Sequence, residues 1–236
     1  QKRGGSHGGR QGCGRTTWQG LAPGTIYGAP DWPTEPGTGG GALPGGGAVF
    51  LQATNVVMNG QIVADSAPAE APGSGGSVLI DCETITGSGS ISASAYRNLD
   101  NAKVNVDYGG GAGGRIAIRY DVEKQSEIDG FAISCEARGT AKAKNSADLS
   151  WVSGDMGTVW MSDARRYQQN APTMRFVGKL LAQDWTAWTV AGDLAVTDHG
   201  EDAVVLVVTL AGKSHADGAG CALTERTGGN VNAGAL

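Results

Sequence analysis

A chain of 236 residues with 40 glycines carries more than twice the usual glycine share of about 7 %. Glycine's backbone entropy excludes a helical bundle, and 8 prolines with no three-residue glycine period exclude collagen. With 40 % hydrophobic and 17 % charged residues the chain is expected to fold, and a net charge of −5 gives no support to nucleic-acid binding.

The chain opens Gln1-Lys2-Arg3-Gly4-Gly5, without an initiator Met or an apolar signal-type run, and so reads as a processed chain or an excerpt. A Gly-rich lead-in over residues 1–46 precedes the first clear pattern. Gly47-Ala48-Val49-Phe50-Leu51 through Asn59-Gly60-Gln61-Ile62-Val63-Ala64 aligns without a gap, 29 residues on, with Gly76-Ser77-Val78-Leu79-Ile80 through Ser88-Gly89-Ser90-Ile91-Ser92-Ala93. The first half recurs as Gly114-Arg115-Ile116-Ala117-Ile118 and as Gly157-Thr158-Val159-Trp160-Met161, at spacings of 38 and 43 residues. Insertions around Asn98–Asp107 and Thr140–Trp151 explain the longer spacings and belong on loops. A further strand-turn-strand unit is expected at Trp188–Val196, and the apolar run Ala203–Ala211, too short for a membrane span, reads as a strand.

Within each unit apolar residues alternate with small or polar ones, the period of a strand. Val78, Ile80 and Cys82 face one way, and Ser77, Leu79 and Asp81 the other. Asn59-Gly60 and Gly87-Ser88-Gly89 are turn signals, because glycine accepts positive φ. Two strands and a turn cannot cover their own apolar face. Stacking successive units at ~4.8 Å buries the aligned Val, Ile and Leu residues as ladders. The expected fold is therefore all-β: a right-handed parallel β-helix (β-solenoid) with Gly-rich connections and inserted loops. Residues 1–236 form one such unit, with stacked rungs over 47–211 and the start of a next repeat, or an assembly segment, over 212–236. A longer repeat links the ends: Ser6-His7, four residues, Gly12-Cys13 matches Ser214-His215, four residues, Gly220-Cys221, 208 residues apart. It suggests one period of a larger polypeptide, or a protomer with similar surfaces at both ends for head-to-tail contact.

The runs GGSHGGRQG, YGAP, GTGGG, GGGAVFLQATNVVMNGQIVADS, GSGGSVLIDCETITGSGSISA and GGGAGGRIAIRYD resemble a glycine-rich repeat of very large bacterial surface and secreted proteins. The resemblance covers residues 4–121 well and the rest loosely. It implies right-handed β-helices in adhesin-like or cell-envelope proteins, with no common catalytic residues.

Several constellations compete with that structural reading. Gly109, Gly111 and Gly114 satisfy GxGxxG, but the motif needs a helix next, and Arg115–Tyr120 is a strand pattern. P-loop, HExxH and acidic calcium-turn signatures are absent. Cys13, Cys82, Cys135 and Cys221 have no zinc spacing; they form disulfides of undetermined pairing or stay as free thiols, the latter suiting Cys82 and Cys135 in strand-like runs. His7, repeated as His215, is expected to hydrogen-bond glycine-loop backbone, and His199 to lie in a turn. Asp81, Asp121 and Glu123 with Arg115 and Arg119 are the outward-facing candidates for polysaccharide chemistry, or else a solvated face. Six tryptophans, among them Trp185 and Trp188, offer stacking surfaces; Trp160 points away from the core ladder, either exposed or covered by an insertion. Arg138, Lys142 and Lys144 read as a solvated loop.

These observations lead to a non-catalytic, structural or adhesive protein: a unit of an extracellular bacterial surface or filament polypeptide, assembling end to end. No catalytic, cofactor or metal-binding residues are assigned, and the partners expected are copies of itself or neighbouring repeats, with surface polysaccharide a further candidate. The alternative is a polysaccharide-binding module, lyase or glycoside hydrolase on the same scaffold, marked by charges and Trp gathered in one groove.

Overall fold

The computed structural model describes residues 4–12, 24–41, 43–68, 71–96, 109–140, 154–163, 175–183 and 205–206. Within them the chain is mostly strand, arranged in two parallel sheets, with one short helix. The first sheet runs β1 (Ala48–Val57), β3 (Ser77–Thr86), β5 (Arg115–Arg119), β7 (Thr158–Met161), β9 (Lys179–Ala182) and β10 (Val205–Leu206). The second runs β2 (Gln61–Val63), β4 (Ser90–Ser92), β6 (Ser134–Glu136) and β8 (Phe176–Val177). Helix α1 (Val122–Ser126) follows β5.

The registers follow the sequence repeat. Val49 pairs with Val78, Leu51 with Ile80, Val56 with Ile85 and Ile62 with Ile91; Ile116 then pairs with Val78 and with Val159. Strand β9 continues the row with Leu180 beside Val159, a pairing that the repeat pattern did not indicate. The Trp188–Val196 unit lies outside the described residues, as do Trp185, Trp188, Lys142, Lys144, His199, Cys13 and the Ser214–Cys221 motif. Of the Ala203–Ala211 run, Val205 and Leu206 form β10.

Alternation decides what is buried. Val78, Ile80, Ile116, Ile118, Val159 and Met161 point inward with Ile85, Ile91, Ile133 and Cys135 into one core between the sheets. The opposite side of the first sheet carries a second apolar row, Leu79, Ala117 and Trp160, with Leu181 against it. Pairing of β1 with β3 lapses at Thr54 and Glu83, and the inward sequence steps from Ala53 and Cys82 to Val56 and Ile85, so both strands change face there.

Glycine does more than the expected turns and connections. Gly87, at φ +111°, does require a residue without Cβ, whereas Gly60 and Gly89 have no positive φ. The glycine clusters are packed layers. Gly47, Gly76, Gly114 and Gly157 precede β1, β3, β5 and β7, and a Cβ on each of the last three would collide with the carbonyl oxygen of the one before. Beside them Gly76, Gly114 and Gly157 donate N–H bonds of 2.7–2.8 Å to Ala64, Ala93 and Ala137, the residues just past β2, β4 and β6. A side chain in this corner would push the two sheets apart.

Candidate functional site

The residues 4–12 and 24–41, expected as a lead-in, pack across the outward side of the first sheet. Gly8 N donates to Gly113 O and Ala112 N to Gly5 O, threading the first segment along the glycine layers. The second segment is fixed from below: Ser77 Oγ donates to Glu35 O (2.6 Å), and Arg115 Nε to Tyr27 O (2.9 Å).

His7 is enclosed at this junction. Its Nδ1 donates to Gly75 O at 3.0 Å and its ring stacks on Tyr27 at 4.6 Å, so that in the neutral ring the lone pair lies on Nε2. Burial holds its pKa below the ordinary value and the Arg115 charge adds to this, against the opposing Gly75 hydrogen bond. A nucleophile relay would need a hydroxyl donating to Nε2. Ser77 Oγ, 3.5 Å away, gives its proton to Glu35 O instead, and Ser6 Oγ accepts from Gln11 N. His7 therefore satisfies glycine backbone, as expected for it.

The five charged candidates separate. Arg115 is buried, with Thr158 Oγ1 and Tyr27 O as partners, rather than outward to solvent. Asp121 caps α1, accepting from Glu123 N and Lys124 N, which places Glu123 in the helix's first turn. Arg138 is also not solvated: it is buried in a two-pronged pair with Glu136. Cys82 and Cys135 are free thiols; burial pushes both up, Cys82 to about 12 with Asp81 adding to the effect.

Asp81 and Arg119 do meet, because the 38-residue register makes them neighbours. Their contact is 3.7 Å, and Gln52, one strand further out, donates to Asp81 Oδ2 at 3.0 Å. Asp31, from the overlying segment, faces Arg119 at 3.9 Å. The guanidinium lies between two indoles, 4.8 Å from Trp32 and 5.5 Å from Trp160. Trp32 is 40 % exposed and tilts against exposed Phe50 at 5.9 Å; Trp160 is buried, closing the question of its exposure, and lies below. Beside this group opens a cavity of about 320 Å³ lined by Pro30, Asp31, Arg119, Trp160, Leu181, Ala182 and Gln183. Asp31 and Trp32 escaped sequence reasoning, since their segment has no periodicity to show which sheet face it crosses. The row Gln52, Asp81, Arg119 was available from the 29- and 38-residue offsets.

A second feature is the end of the stack. β1 and β2 are the outermost strands of their sheets. Phe50, Leu51, Val57 and Val63 are 54 %, 36 %, 71 % and 60 % exposed, whereas Leu79 and Ile80, the register partners of Phe50 and Leu51, are fully buried. Among the described residues no helix is long and apolar enough to cross a membrane. Comparisons with protein-family models, with curated proteins and with solved structures find no match to this chain.

Proposed function

We propose that the chain is a structural stacking unit of an extracellular bacterial surface or filament protein, its strands winding as a right-handed parallel β-helix. The observation that carries this reading is the β1/β2 end, where residues in register with a fully buried row stand exposed beside strand backbone that has no further strand partner among the described residues. Another rung of the same kind, from a second copy or a neighbouring repeat, supplies parallel hydrogen bonds and covers Leu51, Val57 and Val63 together. The glycine-rich resemblance to adhesin-like surface proteins agrees with this role. Sedimentation velocity over a wide concentration range tests it: self-association is expected, and Val57→Asp with Val63→Asp, both on exposed positions, returns the chain to monomer. A chain that stays monomeric at every concentration overturns the proposal.

A further inference from the structure

We infer that the cavity beside Arg119 binds a neutral sugar ring, a function separate from stacking. Three properties converge there. The first is shape: about 320 Å³ lies at the small end of ligand pockets, roughly 300–1,000 Å³, and suits one ring of a glycan rather than a long polymer groove. The second is an apolar platform. Trp160, Leu181 and Pro30 line the cavity, and Trp32 packs on the Arg119 guanidinium that lines it with them. Sugar rings carry C–H faces that stack on such surfaces while their hydroxyls reach sideways.

The third is a set of polar groups with capacity left over. Arg119 has no short bond to either carboxylate: Asp81 and Asp31 stand 3.7 and 3.9 Å away, and its one hydrogen bond to the overlying segment, NH1 to Asp31 O, is 3.4 Å. Its Nε is buried without a hydrogen-bond partner among the described residues. Such a guanidinium, placed by indole faces rather than by hydrogen bonds, can re-aim toward a ligand oxygen. Asp31 accepts from hydroxyls, and Gln183 both donates and accepts.

Charge selects within the sugars. One guanidinium and two carboxylates leave the trio net negative, so a uronate or sulfated sugar meets repulsion from half-exposed Asp31, while an uncharged ring meets none. A cationic ligand has the carboxylates in its favour, but Arg119 already occupies the indole faces it needs.

Titration calorimetry on the full chain, with neutral glucose-, mannose-, galactose- and xylose-based hexasaccharides and hexagalacturonate as probes, tests the site. At least one neutral hexasaccharide is expected to bind and hexagalacturonate to bind more weakly. Trp32→Ala, which removes the ring that holds the Arg119 guanidinium in place, and Asp31→Ala should each weaken binding about tenfold or more. Val57→Asp with Val63→Asp should leave it unchanged, which separates this site from the stacking end. Absence of binding by every neutral probe, preference for hexagalacturonate, or binding that survives both Trp32→Ala and Asp31→Ala in chains with unaltered circular dichroism overturns the inference.

Discussion

The Gln125 side chain stands in for a missing length of strand. β5 stops at Arg119 while β3 runs on to Thr86, which leaves the backbone of Ile85 without a strand neighbour on that side. Gln125, fully buried on α1, accepts from Ile85 N at 2.6 Å and donates to Ile85 O at 3.0 Å, so one side-chain amide closes both gaps. Gln125→Leu keeps the volume and removes both bonds. An orphaned buried backbone group costs about 1–3 kcal/mol, so a loss of roughly 2–4 kcal/mol is expected in urea unfolding; a loss below about 0.5 kcal/mol would show that water replaces the amide. His7 makes a second residue-scale prediction. Its folded pKa is below 6.5, so on acidification the unfolded chain takes up the proton first. The stability it contributes is whole above pH 6.5, declines as pH falls below that value, and is gone once pH passes the folded pKa. Unfolding midpoints of wild type and His7→Gln, measured from pH 7.5 downward, should converge over that window; parallel curves would mean that His7 titrates normally.

At the scale of elements, the first-sheet strands of the first four units are legible because a repeat must keep its inward row to stack. Val49, Val78, Ile116 and Val159 reveal their register by spacing alone. Leu180 in β9 was not legible, since its unit follows β7 by 21 residues and begins at Lys179 after a lone Gly178 rather than a glycine cluster. The cleft was half legible: Asp81 and Arg119 belong to the repeat, whereas Asp31 and Trp32 arrive from a segment whose path is set by single hydrogen bonds to Tyr27, Asp31 and Glu35 carbonyls. Glycine is legible as turns and connections, but its close packing is not. In the corner, a Cβ on Gly114 would strike the backbone of Gly75 and Gly76, and backbone cannot rotate aside; Gly60 has open space around its Cβ position. Gly114→Ala should therefore cost about 3 kcal/mol, as overpacking does. Gly60→Ala should be neutral or stabilise by about 0.4–1 kcal/mol, because its φ suits alanine and the unfolded chain loses freedom. Thermal melts of the two variants check the contrast, and equal shifts would mean that the glycine layer is looser than its packing indicates.

For the whole molecule, the matched motifs at the two ends raise the question of how copies join. The slot that holds residues 4–12 leaves no room for a Cβ at Gly8, against Gly114 O, or at Gly9, against Met156 O and Asp155. The second motif has Ala216 and Asp217 at those places, so it cannot enter the same slot in the same pose. Joining through the open sheet edge meets no such obstacle. Its consequence is a gradient of protection. Among the described residues, strands β3 and β5 have hydrogen-bonded neighbours on both sides, while β1 and β2 have one. In a stack where each rung contacts only its neighbours, local opening is cheapest at the uncovered end. Hydrogen exchange read by mass spectrometry should show peptides from 48–63 exchanging faster than those from 77–92 in dilute protein. Raising the concentration should slow exchange in 48–63 selectively, since association protects the groups it covers, and the Val57→Asp, Val63→Asp chain should lose that concentration dependence while keeping the gradient. Equal protection of the two regions in dilute protein would mean that the β1/β2 end is already covered within the monomer, and the stacking proposal would lose its basis.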